Sequence, residues 1–368
     1  MNIELLKEKK NDAINWLLNS GIQNLTGKYI GGINSWYDIE KRGFPFIYSE
    51  ITGYSITFLL YLFNQTNKQI YLDRAMVAYN YLIKHAKEKK YKLFYCRFIY
   101  DEDQFLNHFC LFDNGIILNS FVNLYKVKND KKILSAAIDL ADSIIRIFKL
   151  QHAKSLVKIV NGKPVHFGNT WSKQFGTYLS KIGIGFLNLY LITGDQKYEL
   201  IAKKLFNYSK ERFLRNGRVI TNSKDKSTYL HPMLYTLEGL YVEDCIYKKT
   251  NEIQIIKSLK WIEKLYLKDK SIPSVYNRYS KNVEEEHLDI IAQSLRLISL
   301  YKYNNKRLIN YLIGKIEVNQ CNQSEGLKKG GFIYNSENIH INSWVTMFCV
   351  QALDIYLGKR LGDPFLLV

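Results

Sequence analysis

The chain repeats one pattern six times: an apolar helical stretch ends near an aromatic residue, a short polar turn follows, and a second helical stretch begins. The aromatic residues stand 51 to 65 residues apart and are Phe63, Tyr125, Tyr190, Tyr241, Tyr301 and Tyr356. A repeat of this length suits a helical hairpin followed by a long loop. The sequence therefore predicts an all-α ring of six hairpins.

The turns inside the hairpins share their chemistry. They read Asn-Gln-Thr-Asn at 64–67, Lys-Asn-Asp at 128–130 and Thr-Gly-Asp at 193–195. Asn, Asp and Gly tolerate the left-handed backbone that ends one helix, and Asn and Asp also cap the next helix. Each repeat is therefore predicted to be a helix, a tight turn and a second helix.

Length alone would favour two domains for 368 residues, of which 47% are hydrophobic. The repeat favours one domain over residues 1–368, because five prolines and no low-complexity stretch leave no evident linker. Residues 1–23 are predicted to form an amphipathic helix that pairs with the last inner helix, rather than a signal peptide.

The apolar runs, such as residues 56–63, are shorter than the roughly 20 residues that a membrane span needs. We therefore predict no transmembrane segment and a cytoplasmic location. The five cysteines form no Cys-x-x-Cys pair, which fits a reducing compartment. The seven histidines lack the i, i+4 spacing of a helical metal site, so no metal and no cofactor are predicted.

The formal net charge of +18 admits two interpretations. Biased composition could place the lysines on a solvated outer face. Alternatively, the positive field attracts an anionic partner. We predict an anionic carbohydrate substrate and leave open a peripheral contact with an acidic membrane surface. No specific nucleic acid is predicted, because no recognition motif or basic arm is present.

Long segments separate the hairpins, and several are predicted to contain short strands. Residues 156–160 and 163–167 flank Asn161-Gly162, which is a strong signal for a two-residue β-hairpin turn. In a ring of hairpins these segments would gather on one face and surround a central cleft.

Chemically capable residues recur at the start of each inner helix. They are Glu50, Asp113, Tyr178, His231, Asp289 and Trp344. Carboxylates can donate or remove protons, and aromatic faces can stack on sugar rings. This set predicts sugar chemistry at the mouth of the cleft.

Three of these residues also have structural explanations. Glu50 could stabilise the dipole of its helix, and Asp113 could cap its helix. His231 precedes Pro232, a favourable first helical residue, and could be an ordinary half-buried histidine. Glu238 lies two helical turns further on, so it could orient His231 or a ligand, or pair with a lysine.

The last two repeats carry further polar and aromatic candidates. Asp289, Gln293 and Arg296 share a helical face, which predicts an ion pair between Asp289 and Arg296 that could also hold a substrate carboxylate. Trp344 could stack on a sugar or pack in the core with Phe348.

Several motifs together resemble those of six-hairpin, glycosidase-like proteins associated with polysaccharide biosynthesis. They are Ser49-Glu50-Ile51-Thr52-Gly53-Tyr54, Phe112-Asp113-Asn114-Gly115, Thr170-Trp171, His231 to Leu240, Ala292 to Arg296, and Asn342-Ser343-Trp344 with Phe348 and Gln351 to Leu353. The resemblance covers nearly the whole chain in the same order. It implies an (α/α)6 toroid with short β-hairpins in the loops on one face, more distantly similar to the catalytic region of glucuronyl C5-epimerases. Asn114, directly after Asp113, departs from the expected small residue or threonine.

We therefore predict a carbohydrate-active enzyme that modifies or cleaves an acidic, uronate-containing glycan or its precursor, as a hydrolase or a uronyl C5-epimerase. Glu50 and Asp113 are the predicted acid/base carboxylates, His231 is the proton shuttle or carboxylate holder, and Asp289 is a further catalytic candidate. The predicted substrate-binding residues are Tyr54, Trp171, Tyr178, Tyr235, Glu238, Arg278, Arg296, His340 and Trp344.

A second class of function stays open, namely a non-catalytic glycan-binding or assembly protein of polysaccharide biosynthesis. Glu50 and Asp113 lying too far apart to share a ligand, or acting only as helix caps, would favour it. Prenyl transfer and terpene cyclisation also occur on helical toroids, but they need an Asp-rich motif or a zinc set, and neither is evident in the sequence.

Overall fold

The computed structural model describes residues 2–149, 154–168, 172, 174–248, 251–277, 285–322, 329–337 and 339–368. These residues fall into two compact units. Unit 1 comprises Met1–Ile22, Trp36–Gly43 and Tyr208–Leu361, and unit 2 comprises Gln23–Ser35, Phe44–Asn207 and Gly362–Val368. The single domain over residues 1–368 stays a prediction.

Twelve α-helices lie in the described part of the chain. They are α1 (Ile3–Asn19), α2 (Ser49–Thr66), α3 (Gln69–Tyr81), α4 (Leu111–Lys128), α5 (Lys131–Phe148), α6 (Ser180–Thr193), α7 (Gln196–Lys210), α8 (Leu230–Tyr247), α9 (Glu252–Asp269), α10 (Leu288–Leu300), α11 (Lys306–Val318) and α12 (Ser343–Tyr356). Each of the six aromatic markers lies near the end of an even-numbered helix, as the repeat predicted. None of the described helices is long and apolar enough to cross a membrane.

The predicted turn chemistry is confirmed in unit 2. Asn67, Asn129 and Gly194 follow α2, α4 and α6 with φ values of 54°, 51° and 71°. The backbone N–H of each donates to the carbonyl of the aromatic marker in the preceding helix. This single hydrogen bond closes the last helical turn while the left-handed residue reverses the chain. The next helix, α5, begins with the Asp130 carboxylate accepting the Lys132 N–H.

The even-numbered helices of unit 2 pack closely on one another, with α4 between α2 and α6. Glycines make this possible. A Cβ added at Gly115 on α4 would lie 2.4 Å from the Cβ of Ile182 on α6. The odd-numbered α3 and α5 cover α2 and α4 from outside, and α5 buries one apolar face through Ile133, Leu140 and Ile144.

Unit 1 contains two further helical hairpins and the pair of terminal helices. Helix α9 packs on α8, α11 packs on α10, and α10 packs against both α8 and α12. Helix α1 packs against α12, which confirms the partner predicted for the N-terminal segment. The Lys10 ammonium lies 2.7 Å from the buried Asp354 carboxylate and fixes this contact.

Short antiparallel strands lead into the helices. They are β1 (Trp36–Tyr37), β2 (Phe46–Tyr48), β3 (Arg97–Ile99), β4 (Gln104–Phe105), β5 (Phe109–Cys110), β6 (Leu156–Val160), β7 (Lys163–His166), β8 (Thr228–Tyr229), β9 (Val275–Tyr276), β10 (Phe332–Ile333) and β11 (Ile341–Asn342). The hairpin of β6 and β7 confirms the prediction at Asn161-Gly162, although β7 ends one residue earlier than expected.

Four strands run without a break into helices: β2 into α2, β5 into α4, β8 into α8, and β11 into α12. Each of these strands is itself paired, so both the direction and the register of the chain are fixed at the helix start. The first turn of each of these helices is therefore a rigid platform for its side chains.

Candidate functional site

The predicted site residues lie at helix starts. Glu50, His231, Asp289 and Trp344 are the second residues of α2, α8, α10 and α12, Asp113 is the third residue of α4, and Tyr178 belongs to a single 3₁₀ turn directly before α6. Glu50, Asp113 and Tyr178 belong to unit 2, whereas His231, Asp289 and Trp344 belong to unit 1. Trp171 and Arg278 lie outside the described residues.

In unit 1, His231 faces two oxygen atoms of α10 through one ring nitrogen. Its Nδ1 lies 2.7 Å from Oε1 of Gln293 and 3.4 Å from Oδ2 of Asp289. The Tyr235 ring, one helical turn further along α8, lies 4.3 Å from the imidazole, centroid to centroid. Asp289 is buried, but 22% of the His231 side chain is exposed. Groups of α10 therefore contact Nδ1 of His231, and part of the side chain is accessible to solvent.

Behind His231 lies a fully buried polar network. Arg296 forms an ion pair with Oε1 of Glu238, and its second terminal nitrogen lies 2.9 Å from Oε1 of Gln351. The same Glu238 oxygen is 3.3 Å from Nε2 of Gln293. The guanidinium of Arg296 also lies 4.8 Å from the centre of the Phe348 ring. This network connects α8, α10 and α12.

The expected ion pair between Asp289 and Arg296 is wrong. Seven residues along a helix correspond to a rise of about 10.5 Å, so two side chains on one face at this spacing reach different partners. Asp289 contacts His231 at the start of α8. Arg296 contacts Glu238, which lies on α8 two turns beyond His231. Gln293 lies between them on α10 and contacts both α8 residues.

Aromatic side chains and histidines form a second group in unit 1. The Trp36 ring stacks on His340 at 5.3 Å and meets Trp344 edge-on at 6.3 Å. The Tyr334 ring lies 6.1 Å from Trp344, and the Tyr334 hydroxyl is 2.9 Å from Nδ1 of His287. All five side chains are half-buried. They form a partly exposed aromatic surface on the strands β1, β10 and β11 and at the adjoining starts of α10 and α12.

In unit 2, Glu50 and Asp113 form a buried carboxyl pair. Burial, followed by the nearby charge of Asp113, raises the pKa of Glu50 well above its ordinary value. Burial also raises the pKa of Asp113, against the opposing hydrogen bonds from the Cys96 and Cys110 thiols. The residues that cap α2 and α4 are Tyr48 and Cys110, so the carboxyl groups lie within the first turns and are not the N-caps.

Asp113 is among the groups that raise the pKa of Glu50, so the two buried carboxyl groups are near neighbours. Two carboxylates in contact do not both ionise near neutral pH, because their like charges repel and burial weakens solvation. Arg97 lies near Asp113, but its guanidinium also lies over the rings of Phe46 and Tyr48 at 4.6 and 4.8 Å. Burial favours the protonated form of both carboxyl groups, whereas the charge of Arg97 opposes it.

The tyrosines predicted to bind substrate in unit 2 are buried. Tyr54 is 2% exposed, and the Lys181 ammonium lies 5.9 Å from the centre of its ring. The Tyr178 hydroxyl is 3.1 Å from the Ser155 hydroxyl and about equally close to the carbonyl oxygens of Ser172 and Gln174. Burial raises the pKa of Tyr178 far above its ordinary value. These contacts hold the Tyr178 hydroxyl inside the protein.

Sequence reasoning did not list Gln293, Trp36, Tyr334 or His287 as site residues. Gln293 had a usable signal, because its spacing from Asp289 and Arg296 places all three residues on one helical face. Trp36 had none, since it joins the aromatic group only when β1 pairs with β11. Among the described residues, no group of three or more His, Cys, Asp or Glu is arranged to hold a metal ion.

Comparisons with known proteins give relatives by structure only. No protein-family model matches the chain, and no curated protein has a significantly similar sequence. Cellobiose 2-epimerase from Bacillus thermoamylovorans B4167 is 14% identical and superposes with a TM-score of 0.77, covering 96% of this chain and 100% of that one. D-Mannose isomerase is 11% identical, with a TM-score of 0.74 over 96% and 97% of the two chains.

An unsaturated glucuronyl hydrolase from Bacillus sp. GL1 is 13% identical, with a TM-score of 0.65 over 94% of this chain and 96% of that one. Identities this low show the fold alone. The comparisons thereby show the fold: the chain is an all-α (α/α)6 toroid of six helical hairpins, which confirms the fold predicted from the repeat and the motifs.

Proposed function

We propose that this chain is a carbohydrate-active enzyme that moves a proton at a sugar carbon, as an epimerase or isomerase does. The main observation is the position of His231. Its Nδ1 faces oxygen atoms of the buried residues Gln293 and Asp289, and part of its side chain is exposed. If Nδ1 donates its proton to these oxygens, Nε2 keeps a lone pair. Nε2 is then the general base.

The reaction requires a carbon acid, namely a C–H bond next to the carbonyl group of an open-chain sugar or next to a uronate carboxylate. Nε2 of His231 takes the proton, and the C–H electron pair moves into the adjacent carbonyl to form an enolate-type intermediate. Return of a proton to the opposite face of the same carbon inverts it. Isomerisation also requires the hydroxyl proton on that carbon to move to the former carbonyl oxygen, through an enediol, before a proton is added to the neighbouring carbon. Asp289 stabilises the imidazolium that forms between the two steps.

Tyr235 is the candidate for the second proton carrier, because its ring lies against the His231 imidazole. The half-buried rings of Trp344 and Trp36 offer apolar faces of the kind that stack on pyranose rings. We propose that His340 and Tyr334 border the same sugar-binding surface. The substrate we propose is anionic, in keeping with the net charge of +18.

The names of the structural neighbours support this choice of chemistry. The cellobiose 2-epimerase and the D-mannose isomerase superpose with TM-scores of 0.77 and 0.74, compared with 0.65 for the unsaturated glucuronyl hydrolase. The first two names denote reactions that rearrange a sugar without cleaving a glycosidic bond. These two names agree with the proposed proton transfer.

The test is solvent exchange at carbon. Purified protein is incubated in deuterated water with a panel of reducing sugars and uronate-containing oligosaccharides, and products are read by NMR and mass spectrometry. We expect deuterium at one sugar carbon without chain cleavage, and loss of this exchange in His231→Gln. His166→Gln is the matched control, because His166 lies on the exposed β6–β7 hairpin. Equal exchange by His231→Gln and the unchanged protein would refute the proposal.

Glycoside hydrolysis by Glu50 and Asp113 is the second candidate, and the raised pKa values of both carboxyl groups favour it. Glycosidases place their two carboxyl groups roughly 5 to 9.5 Å apart, with the scissile bond between them. Hydrolysis would require Glu50 and Asp113 to stand on the two sides of the bound substrate in this way. New reducing ends that disappear in Glu50→Gln and Asp113→Asn would support hydrolysis, and binding without any reaction would support the glycan-binding alternative.

A further inference from the structure

The side-chain amide of Gln293 lies between His231, which its oxygen contacts, and Glu238, which its nitrogen contacts. Its Oε1 is 2.7 Å from Nδ1 of His231, and its Nε2 is 3.3 Å from Oε1 of Glu238. Gln293 is completely buried. An amide in this position has only two sensible orientations, related by a half-turn that exchanges its oxygen and nitrogen.

The charge of Glu238 selects between these two orientations. An ionised carboxylate only accepts hydrogen bonds, so it favours the amide nitrogen of Gln293 and repels its oxygen. With the nitrogen towards Glu238, the amide oxygen must face His231. An oxygen that only accepts then requires a proton on Nδ1 of His231.

Arg296 keeps Glu238 ionised despite complete burial. Both side chains are 0% exposed, and they are joined in an ion pair. An isolated buried carboxylate would take up a proton to escape the cost of desolvation, and a protonated Glu238 could donate to the Gln293 oxygen. Gln351 fixes the other end of the guanidinium at 2.9 Å, so the pair is held in one geometry.

We propose that the buried Glu238–Arg296 pair determines which nitrogen of His231 carries the proton, acting through the orientation of the Gln293 amide. Glu238, Arg296 and Gln293 are then positioning residues rather than substrate ligands. Their value to catalysis rests on the proposed function, since they leave Nε2 of His231 free to accept a proton from the sugar. The tautomer itself does not depend on any reaction.

Asp289 is the other charged group that faces His231, with its Oδ2 3.4 Å from Nδ1. This carboxylate also favours a proton on Nδ1. The role of Gln293 must therefore be tested where Asp289 no longer imposes its preference. Asp289→Asn provides that background, because an asparagine amide can present either its oxygen or its nitrogen.

The experiment reads the tautomer by ¹⁵N NMR of protein labelled in its histidines, at a pH where His231 is neutral, with the signals assigned by comparison with His231→Gln. Protonated and unprotonated imidazole nitrogens have well separated ¹⁵N shifts. We expect Nδ1–H in the unchanged protein and in Asp289→Asn. In Asp289→Asn/Glu238→Gln we expect a mixture of tautomers, because the new amide lets Gln293 turn over.

Glu243→Gln in the Asp289→Asn background is the matched control. Glu243 is also a buried acid of α8, and it lies 2.8 Å from the Lys210 ammonium. This change should leave the tautomer as it is. If the Glu238 variant does not fold, Asp289→Asn/Gln293→Leu provides the test, and it should lose the preference for Nδ1–H because leucine offers His231 no oxygen. Loss of Nδ1–H in Asp289→Asn alone, or no change on replacing Glu238 or Gln293, would overturn the proposal.

Kinetics then connect the tautomer to the reaction. Only the Nδ1–H tautomer leaves Nε2 free to act as the general base. Adding Glu238→Gln to Asp289→Asn should therefore lower kcat by the same factor by which the Nδ1–H fraction falls, with KM nearly unchanged. A shifted tautomer with full activity would leave the tautomer proposal standing and refute the proposed role of His231. An unshifted tautomer with reduced activity would refute the tautomer proposal and leave the proposed role of His231 standing.

Discussion

In unit 1 the buried carboxylate of Glu238 forms an ion pair with the guanidinium of Arg296, whereas in unit 2 the buried carboxyl group of Glu50 has a second carboxyl group, that of Asp113, nearby. Both arrangements remove an acid from water. The first compensates the charge with a counter-ion, and the second favours a bound proton by raising the pKa. The comparison teaches that two clusters of similar composition respond differently to substitution and to pH.

The largest expected effect comes from breaking the ion pair. Arg296→Met leaves the Glu238 carboxylate buried without its cation, which should lower the free energy of unfolding by about 3–5 kcal/mol. Chemical denaturation followed by circular dichroism measures this loss. Lys7→Ala, which removes an exposed ion pair with Glu4 on α1, is the control and should cost less than about 1 kcal/mol. Similar losses in the two variants would show that burial does not distinguish the pairs.

The carboxyl pair of unit 2 should respond in the opposite direction. A carboxyl group whose pKa is raised by folding stabilises the protein fully below the pKa of the unfolded chain, near 4.5 for Glu50, and loses this contribution as pH rises through the folded value. Glu50→Gln is neutral at every pH. It should therefore match the unchanged protein near pH 4 and become more stable than it at pH 8.

The difference in the free energy of unfolding between Glu50→Gln and the unchanged protein at high pH should be about 1.4 kcal/mol for each pH unit by which folding raises the pKa of Glu50. Thermal unfolding of both proteins between pH 4 and pH 8 measures it. Asp113→Asn should show the same sign, because its pKa is raised as well. A Glu50→Gln variant that is less stable than the unchanged protein at pH 8 would show that the pair is neutralised by a cation after all.

The smallest expected effect concerns Tyr178. Tyr178→Phe removes a hydroxyl that lies among the Ser155 hydroxyl and the carbonyls of Ser172 and Gln174, and should cost about 1–2 kcal/mol of stability. Substrate affinity should not change, because this hydroxyl is held inside unit 2. Denaturation and a binding titration are measured side by side. A large loss of affinity with full stability would assign Tyr178 to the substrate instead.

Much of the fold could be predicted because the turns are chemically local. Asn67, Asn129 and Gly194 adopt the left-handed conformation that their side chains tolerate, and Asn161-Gly162 forms the expected hairpin. Lys248 and Lys270 end α8 and α9 in the same conformation without a favourable side chain. There the tertiary structure overrides local preference, so no turn signal was available.

The sequence indicated individual residues of the site, but it did not indicate which of them contact one another. Helical spacing placed Asp289, Gln293 and Arg296 on one face, yet it could not tell which α8 residue each would meet. The contacts depend on how α8 and α10 pack, which fixes Asp289 at His231 and Arg296 at Glu238. Trp36 and Trp344 come together only through pairing of strands at opposite ends of the chain.

The most direct test of the account compares the two clusters in one assay. The rate of deuterium exchange at the sugar carbon is measured for His231→Gln and Glu50→Gln on the sugar that the unchanged protein exchanges fastest. We expect a loss of about 10²- to 10⁴-fold for His231→Gln, the usual contribution of a general base, and a near-normal rate for Glu50→Gln. A normal rate for His231→Gln with loss of exchange in Glu50→Gln would contradict this expectation and assign the chemistry to the carboxyl pair.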